Sequence, residues 1–167
     1  ASPPCGAALE CVDGAKLRYL SDDESRRLVN AAGPEFRPIV QAALLTGARW
    51  GELRNVTVAD VDLRAGTVRL AETKGGQPRD CYLEGEGLAL FRQHSLGKAG
   101  DANVFPAPDG GTWTDSTQIR RMALACEAGN VIPRATFHDL RRTYGARLAL
   151  AGVGTAGTAA EAARRCA

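Results

Sequence analysis

The stretch Thr46-Gly47-Ala48-Arg49-Trp50-Gly51-Glu52-Leu53 decides how the rest of the chain is read. It follows the apolar positions Ile39, Val40, Ala43 and Leu44, whose spacing predicts a helix over 35–48. It breaks that helix with glycines on both sides of a single arginine. An arginine among glycines can lie close to a backbone-rich concavity and fork onto a phosphate. Glu52, three residues on, could hold the guanidinium in place. Taken alone, the same residues read more readily as surface charge at a helix end.

Upstream, Ser21-Asp22-Asp23-Glu24 forms a capping box that opens a first helix. Leu28 and Val29 give it an apolar face, and Gly33-Pro34 ends it. Residues 1–16 are small, Pro/Gly/Ala-rich and aperiodic, the composition of a tail or linker. Downstream the period changes to two. Thr67–Leu70 and Arg79–Leu83 read as short strands joined by Thr73-Lys74-Gly75-Gly76-Gln77-Pro78, where paired glycines permit a turn with positive φ. Val56-Thr57-Val58 could add a neighbouring strand. Helical spacing returns over 87–95, over 115–128 between Thr114 and Gly129, and from Thr136 to Gly152.

That last helix opens Thr136-Phe137-His138-Asp139-Leu140-Arg141-Arg142-Thr143-Tyr144. His138 and Arg141 are three apart and share a face. Near a helix start, unpaired backbone N–H groups and the macrodipole favour an anion, so the pair reads as a phosphate clamp as readily as a structural histidine beside a surface arginine. Lys74, at the tip of the glycine hairpin, could reach a ligand docked across the sheet edge. A hairpin lysine by itself more often only stays hydrated.

These motifs, in this order, resemble the tyrosine recombinase (phage integrase) family over roughly residues 17–153. The resemblance implies an α+β, mainly α catalytic domain with a small antiparallel three-stranded sheet. It also implies DNA cleavage without metal or cofactor. A tyrosine attacks the scissile phosphate, leaving a 3′-phosphotyrosyl link and a free 5′-hydroxyl. By the same likeness Arg49 and Arg141 grip the non-bridging oxygens. His138 assists proton transfer or braces the phosphate, Lys74 protonates the leaving 5′-oxygen, and Glu52 orients the site. Preorganised cations meet the charge that grows on the phosphoryl oxygens, and losing one such donor costs roughly 3–4 kcal/mol. The implied partner is double-stranded DNA, with self-association on DNA through exchange of a C-terminal segment in a full-length parent.

The likeness stops after Gly152-Val153. The family's second histidine and its nucleophilic tyrosine lie beyond that point, whereas here Gly/Ala/Thr-rich sequence follows. Of the tyrosines present, Tyr144 falls where the family has an aromatic packing residue, Tyr19 near the domain entrance and Tyr82 in a strand. The expectation is a cleavage-deficient domain, with residues 154–167 a low-complexity tail. Truncation, a frameshift or natural decay would each produce this change. The chain opens at Ala1 with Met122 as its single methionine, which suits a fragment or processed chain. A non-catalytic, regulatory DNA-binding form is the alternative. A type IB topoisomerase relative shares the chemistry but fits the Thr-Gly-Ala-Arg box less well.

Composition bounds these readings. At 167 residues with 44% hydrophobic and 24% charged side chains, the chain suits one globular domain. Net charge is +2, too small to announce nucleic acid by itself. Yet Arg120, Arg121, Arg134, Arg141, Arg142 and Arg147 crowd the last third, and Arg120, Arg121, Arg134 and Arg142 are candidates for DNA contacts. Five scattered cysteines without C-x-x-C spacing argue against zinc and fit reduced thiols in a cytoplasmic protein. Cys81 and Cys126 suit burial as small hydrophobes. No apolar run is long enough to span a bilayer.

Overall fold

The computed structural model describes residues 18–71 and 77–152. The hairpin turn with Lys74 and the two tails expected at 1–16 and 154–167 lie outside those residues.

The first helix, α1 (Asp22–Ala31), is opened by the expected capping box. Ser21 Oγ accepts from the Glu24 N–H at 3.1 Å, and Glu24 Oε2 accepts from the Ser21 N–H at 2.9 Å. These reciprocal bonds satisfy two N–H groups that a helix start otherwise leaves unpaired. The second helix, α2 (Arg37–Thr46), is shorter at both ends than the apolar spacing predicts. Pro38 sits in its first turn, where no N–H is needed, and Gly47 closes it in the left-handed conformation at φ +61. Ile39, Val40, Ala42, Ala43 and Leu44 are all buried, so α2 is the central helix rather than a surface one.

The chain then forms a short helix that the sequence pattern concealed, α3 (Trp50–Asn55). Only Leu53 and Glu52 are buried in it, too few for a helical period to show. A 3₁₀ turn over Val58–Asp60 leads into β1 (Val61–Asp62). β1 pairs antiparallel with β2 (Thr67–Leu70), which pairs antiparallel with β3 (Arg79–Tyr82). The three-stranded antiparallel sheet is therefore as expected, but its outer strand is 61–62. Val56-Thr57-Val58 is not in the sheet; Thr57 instead makes an isolated bridge to Asn103. Val56 is buried in the core while Val58 already belongs to the 3₁₀ turn, so the alternation there did not mark a strand.

Three further helices complete the fold: α4 (Gly85–Ser95), α5 (Asp115–Ala128) and α6 (Phe137–Leu150). Thr114 caps α5 and Thr136 caps α6, each accepting from an N–H three residues on. The helix α2 lies between α6, α4, α1 and α3, while α1 packs on α5. At the α1–α5 crossing Gly129 approaches backbone so closely that a Cβ would stand 2.9 Å from the Arg27 carbonyl oxygen. An aromatic cluster ties the start of α6 to the Arg49 region: Phe36 meets Trp113 and Phe137 edge-on, and Phe137 meets Trp50 at 4.7 Å. Ring pairs of this kind add about 0.5–1.5 kcal/mol beyond area burial. The expected small hydrophobic role of Cys81 and Cys126 is met, since both are buried free thiols. Among the described residues no helix is long and apolar enough to cross a membrane.

Candidate nucleic-acid site at the α2–α6 seam

Arg49 occupies the N-cap of α3, in extended backbone just after the left-handed Gly47. Its turn is held from within the protein by Glu52, whose side chain is only 2% exposed. Glu52 Oε2 accepts the Arg49 backbone N–H at 2.7 Å, and Oε1 lies 3.7 Å from the Arg49 guanidinium. The Arg49 side chain is 52% exposed. A buried carboxylate is costly unless paired and hydrogen-bonded, and the same Oε2 also receives Arg79 at 2.9 Å. Glu52 thus joins α3 to strand β3.

Arg141 comes from the other side of the seam. From the second turn of α6 it crosses to α2 and donates to the Gly47 carbonyl at 2.5 Å, a contact between residues 94 apart in sequence. One turn further on, the Tyr144 ring lies directly over Gly47. A Cβ at Gly47 would fall 2.2 Å from Tyr144 Cδ1, so only glycine fits there. Thr46, Gly47, Arg79, Arg141 and Tyr144 border a cleft of about 210 Å³. Burial raises the Tyr144 phenol above its ordinary pKa, with Cys81 and Glu84 acting in the same direction and Arg79 against it. That environment keeps the phenol protonated, the opposite of what activates a nucleophile. The expected aromatic packing role fits this geometry.

His138 lies in the first turn of α6 with its side chain exposed. It sits beside Phe137, which packs against the Trp50 ring next to Arg49. The Trp50 indole N–H also donates to Asp115 at 2.9 Å, and Arg54 reaches the same carboxylate oxygen at 3.1 Å. The starts of α3, α5 and α6 are therefore fastened together around Trp50. Lys74, expected to approach this site from the hairpin, lies outside the described residues.

The remaining arginines of the expected basic set do not join the cleft. Arg120 and Arg134 are exposed, on α5 and before α6 respectively. Arg121 faces Glu35 at 3.7 Å, and Arg142 pairs with Asp139 on its own helix at 3.5 Å. Arg79, Trp50 and Tyr144 are the contributors that residue-by-residue reading did not single out for the site. Strand alternation could have flagged Arg79: it shares a sheet face with buried Cys81 and stands opposite buried Leu70. No group of His, Cys, Asp and Glu among the described residues could hold a metal ion.

A seam of arginines between two packed helices, beside a three-stranded sheet, is the framework of a tyrosine-recombinase-type catalytic domain. The chain belongs to the phage integrase family, whose model matches residues 18–159. Tyrosine recombinase XerA of Saccharolobus solfataricus is 29% identical over 91 residues, which cover 54% of this chain and 31% of that protein. A crystal structure of XerA recombinase superimposes with a TM-score of 0.68 at 26% identity, covering 86% of this chain and 58% of that one. The Tn1549 transposon integrase in complex with a circular intermediate DNA gives a TM-score of 0.71 at 18% identity, covering 85% of this chain and 56% of that one. A lambda integrase dimer bound to a COC' core site gives 0.66 at 20%, with the same two coverages. The last two are likenesses of fold. The chain spans about a third of the curated relative's length and less than two thirds of these solved chains.

Proposed function

We propose that the domain holds a DNA phosphodiester at the α2–α6 seam and is the strand-transferase unit of a site-specific recombinase, spanning residues 17–153. The observation that carries this reading is the Arg141–Gly47 bond. It sets one phosphate-binding guanidinium against the glycine turn that presents another, Arg49. In this reading Arg49 and Arg141 take the non-bridging oxygens, and His138 braces the phosphate or assists proton transfer. Glu52 orients the Arg49 turn. Lys74 gives the leaving 5′-oxygen its proton; such acid catalysis contributes about 10²–10⁴-fold, and a lysine suits it because its pKa falls readily when desolvated.

The 167-residue chain by itself binds duplex DNA and does not cut it. Its tyrosines are Tyr19, Tyr82 and Tyr144, and Tyr144 is occupied in packing over Gly47 with its phenol pKa raised. Transesterification needs a tyrosine oxygen to bond to phosphorus while the bond to the 5′-oxygen breaks. Here that tyrosine would come from an extension of the chain or from a neighbouring copy on DNA. Relatives solved as a dimer and a tetramer on DNA favour self-association as the setting.

The test is covalent trapping on a nicked suicide duplex bearing the cognate site. It compares this chain with a version extended through the family's second histidine and tyrosine. An adduct from the extended version alone is expected. An adduct from the 167-residue chain would overturn the cleavage deficiency, and none from either, on a site known to be correct, would overturn the strand-transferase reading.

A further inference from the structure

Arg79 stands at an unusual position for a charged side chain. In β3 it shares the sheet face of Cys81, and its register partner is Leu70; both of those residues are buried. Its guanidinium meets the buried Glu52 carboxylate at 2.9 Å. That bond uses one of the guanidinium's five N–H donors. Among the described residues the Arg79 guanidinium has no other hydrogen bond or ion pair, and the side chain remains 41% exposed. It borders the cleft together with Arg141 and Gly47.

We propose that Arg79 is a third phosphate-contacting residue of this site, gripping a non-bridging oxygen of a DNA backbone phosphate with the part of its guanidinium that Glu52 does not occupy. The assignment rests on the phosphodiester-binding reading above. Glu52 can hold it beside an anionic ligand because its carboxylate charge is already met by the Arg79 and Arg49 guanidinium groups and the Arg49 N–H. A planar fork with several donors can serve a carboxylate on one edge and a phosphate on another. The competing reading makes Arg79 only the counter-ion of Glu52.

Salt dependence separates the two, since each neutralised phosphate contributes about 0.9 to the slope of log K against log salt concentration. The experiment titrates the 167-residue chain against a fluorescent duplex of arbitrary sequence across a salt series, reading anisotropy. R79Q keeps an amide donor for Glu52 but removes the charge, and it is expected to flatten the slope by about 0.9. R79K keeps the charge and is expected to retain the slope. The E52Q/R79Q pair removes both charges together and serves if R79Q lowers the thermal midpoint; the same flattening is expected. R141Q reports on the underlying reading. If R141Q flattens the slope while R79Q and the double variant do not, Arg79 is a counter-ion and the assignment falls alone. If the wild-type chain binds no duplex, or neither R141Q nor R79Q changes its slope, the phosphodiester reading fails and the assignment goes with it.

Discussion

Two populations of arginine in this chain look alike in sequence and differ in structure. Arg49, Arg79 and Arg141 are fixed from inside, on the Glu52 carboxylate and the Gly47 carbonyl. Arg26 and Arg147 are fixed from outside. Arg26 pairs with Asp23 within its own helix and Arg147 pairs with Asp22, and both carboxylates are largely solvated. A surface pair of the second kind contributes about 0–1 kcal/mol and costs side-chain entropy to hold. A guanidinium held by a buried acceptor is oriented before any ligand arrives, and orientation of that kind is what phosphoryl chemistry uses. The distinguishing property is the acceptor's burial.

The comparison breaks first at Gly47. G47A places a Cβ inside the Tyr144 ring at a backbone angle that alanine adopts at a cost. It is expected to lower unfolding free energy by about 3 kcal/mol in urea denaturation. A neutral G47A would mean that the α2–α6 seam yields easily and does not preorganise Arg141.

Glu52 sharpens the contrast. E52A leaves the Arg49 N–H and Arg79 without their shared acceptor, and is expected to cost about 2 kcal/mol, discounted because Arg79 is partly solvated. R147A, on the outer population, is expected to stay within about 0.5 kcal/mol of the parent. Equal losses for the two variants would erase the distinction between inner and outer arginines.

The smallest expected effect is a pH dependence. Burial is the main cause of raised pKa values for the Cys81 thiol and the Tyr144 phenol, both at the seam. An acid whose folded pKa is raised loses its proton more readily when unfolded. Its contribution is complete below the unfolded value and is lost as pH climbs through the folded one. Stability should therefore decline above about pH 9, the region where free thiols and then phenols ionise. Urea midpoints between pH 8 and pH 11 would show it, with a shallower decline in Y144F. The Cys126 thiol, raised by burial away from the seam, adds to the decline but not to the difference between Y144F and the parent. An unchanged slope in Y144F would mean that the ring is more solvated than its place over Gly47 implies.

Much of the fold was legible because its signals are local. The Ser21–Glu24 box, Thr114 and Gly129 around α5, and Thr136 before α6 each satisfy or end their own helix with groups a few residues away. The short helix α3 and the outer strand 61–62 were not legible. Six residues and two residues are too short to display a period, and both are selected by packing against α2 and β2.

The site divides along the same line. Sequence alone determined that Arg49 would follow a glycine turn with Glu52 one helical turn on, and that His138 and Arg141 would share the start of one helix. Those relations are set by residues within a few positions of each other. Only the tertiary structure decided that Arg141 spans 94 residues to the Gly47 carbonyl, that Tyr144 closes over the same glycine, and that Arg79 shares the Glu52 carboxylate with Arg49. The physical reason is that a buried carboxylate or carbonyl accepts whichever donor the packed elements bring within reach. Which donor that is depends on how α2, α6 and the sheet come together.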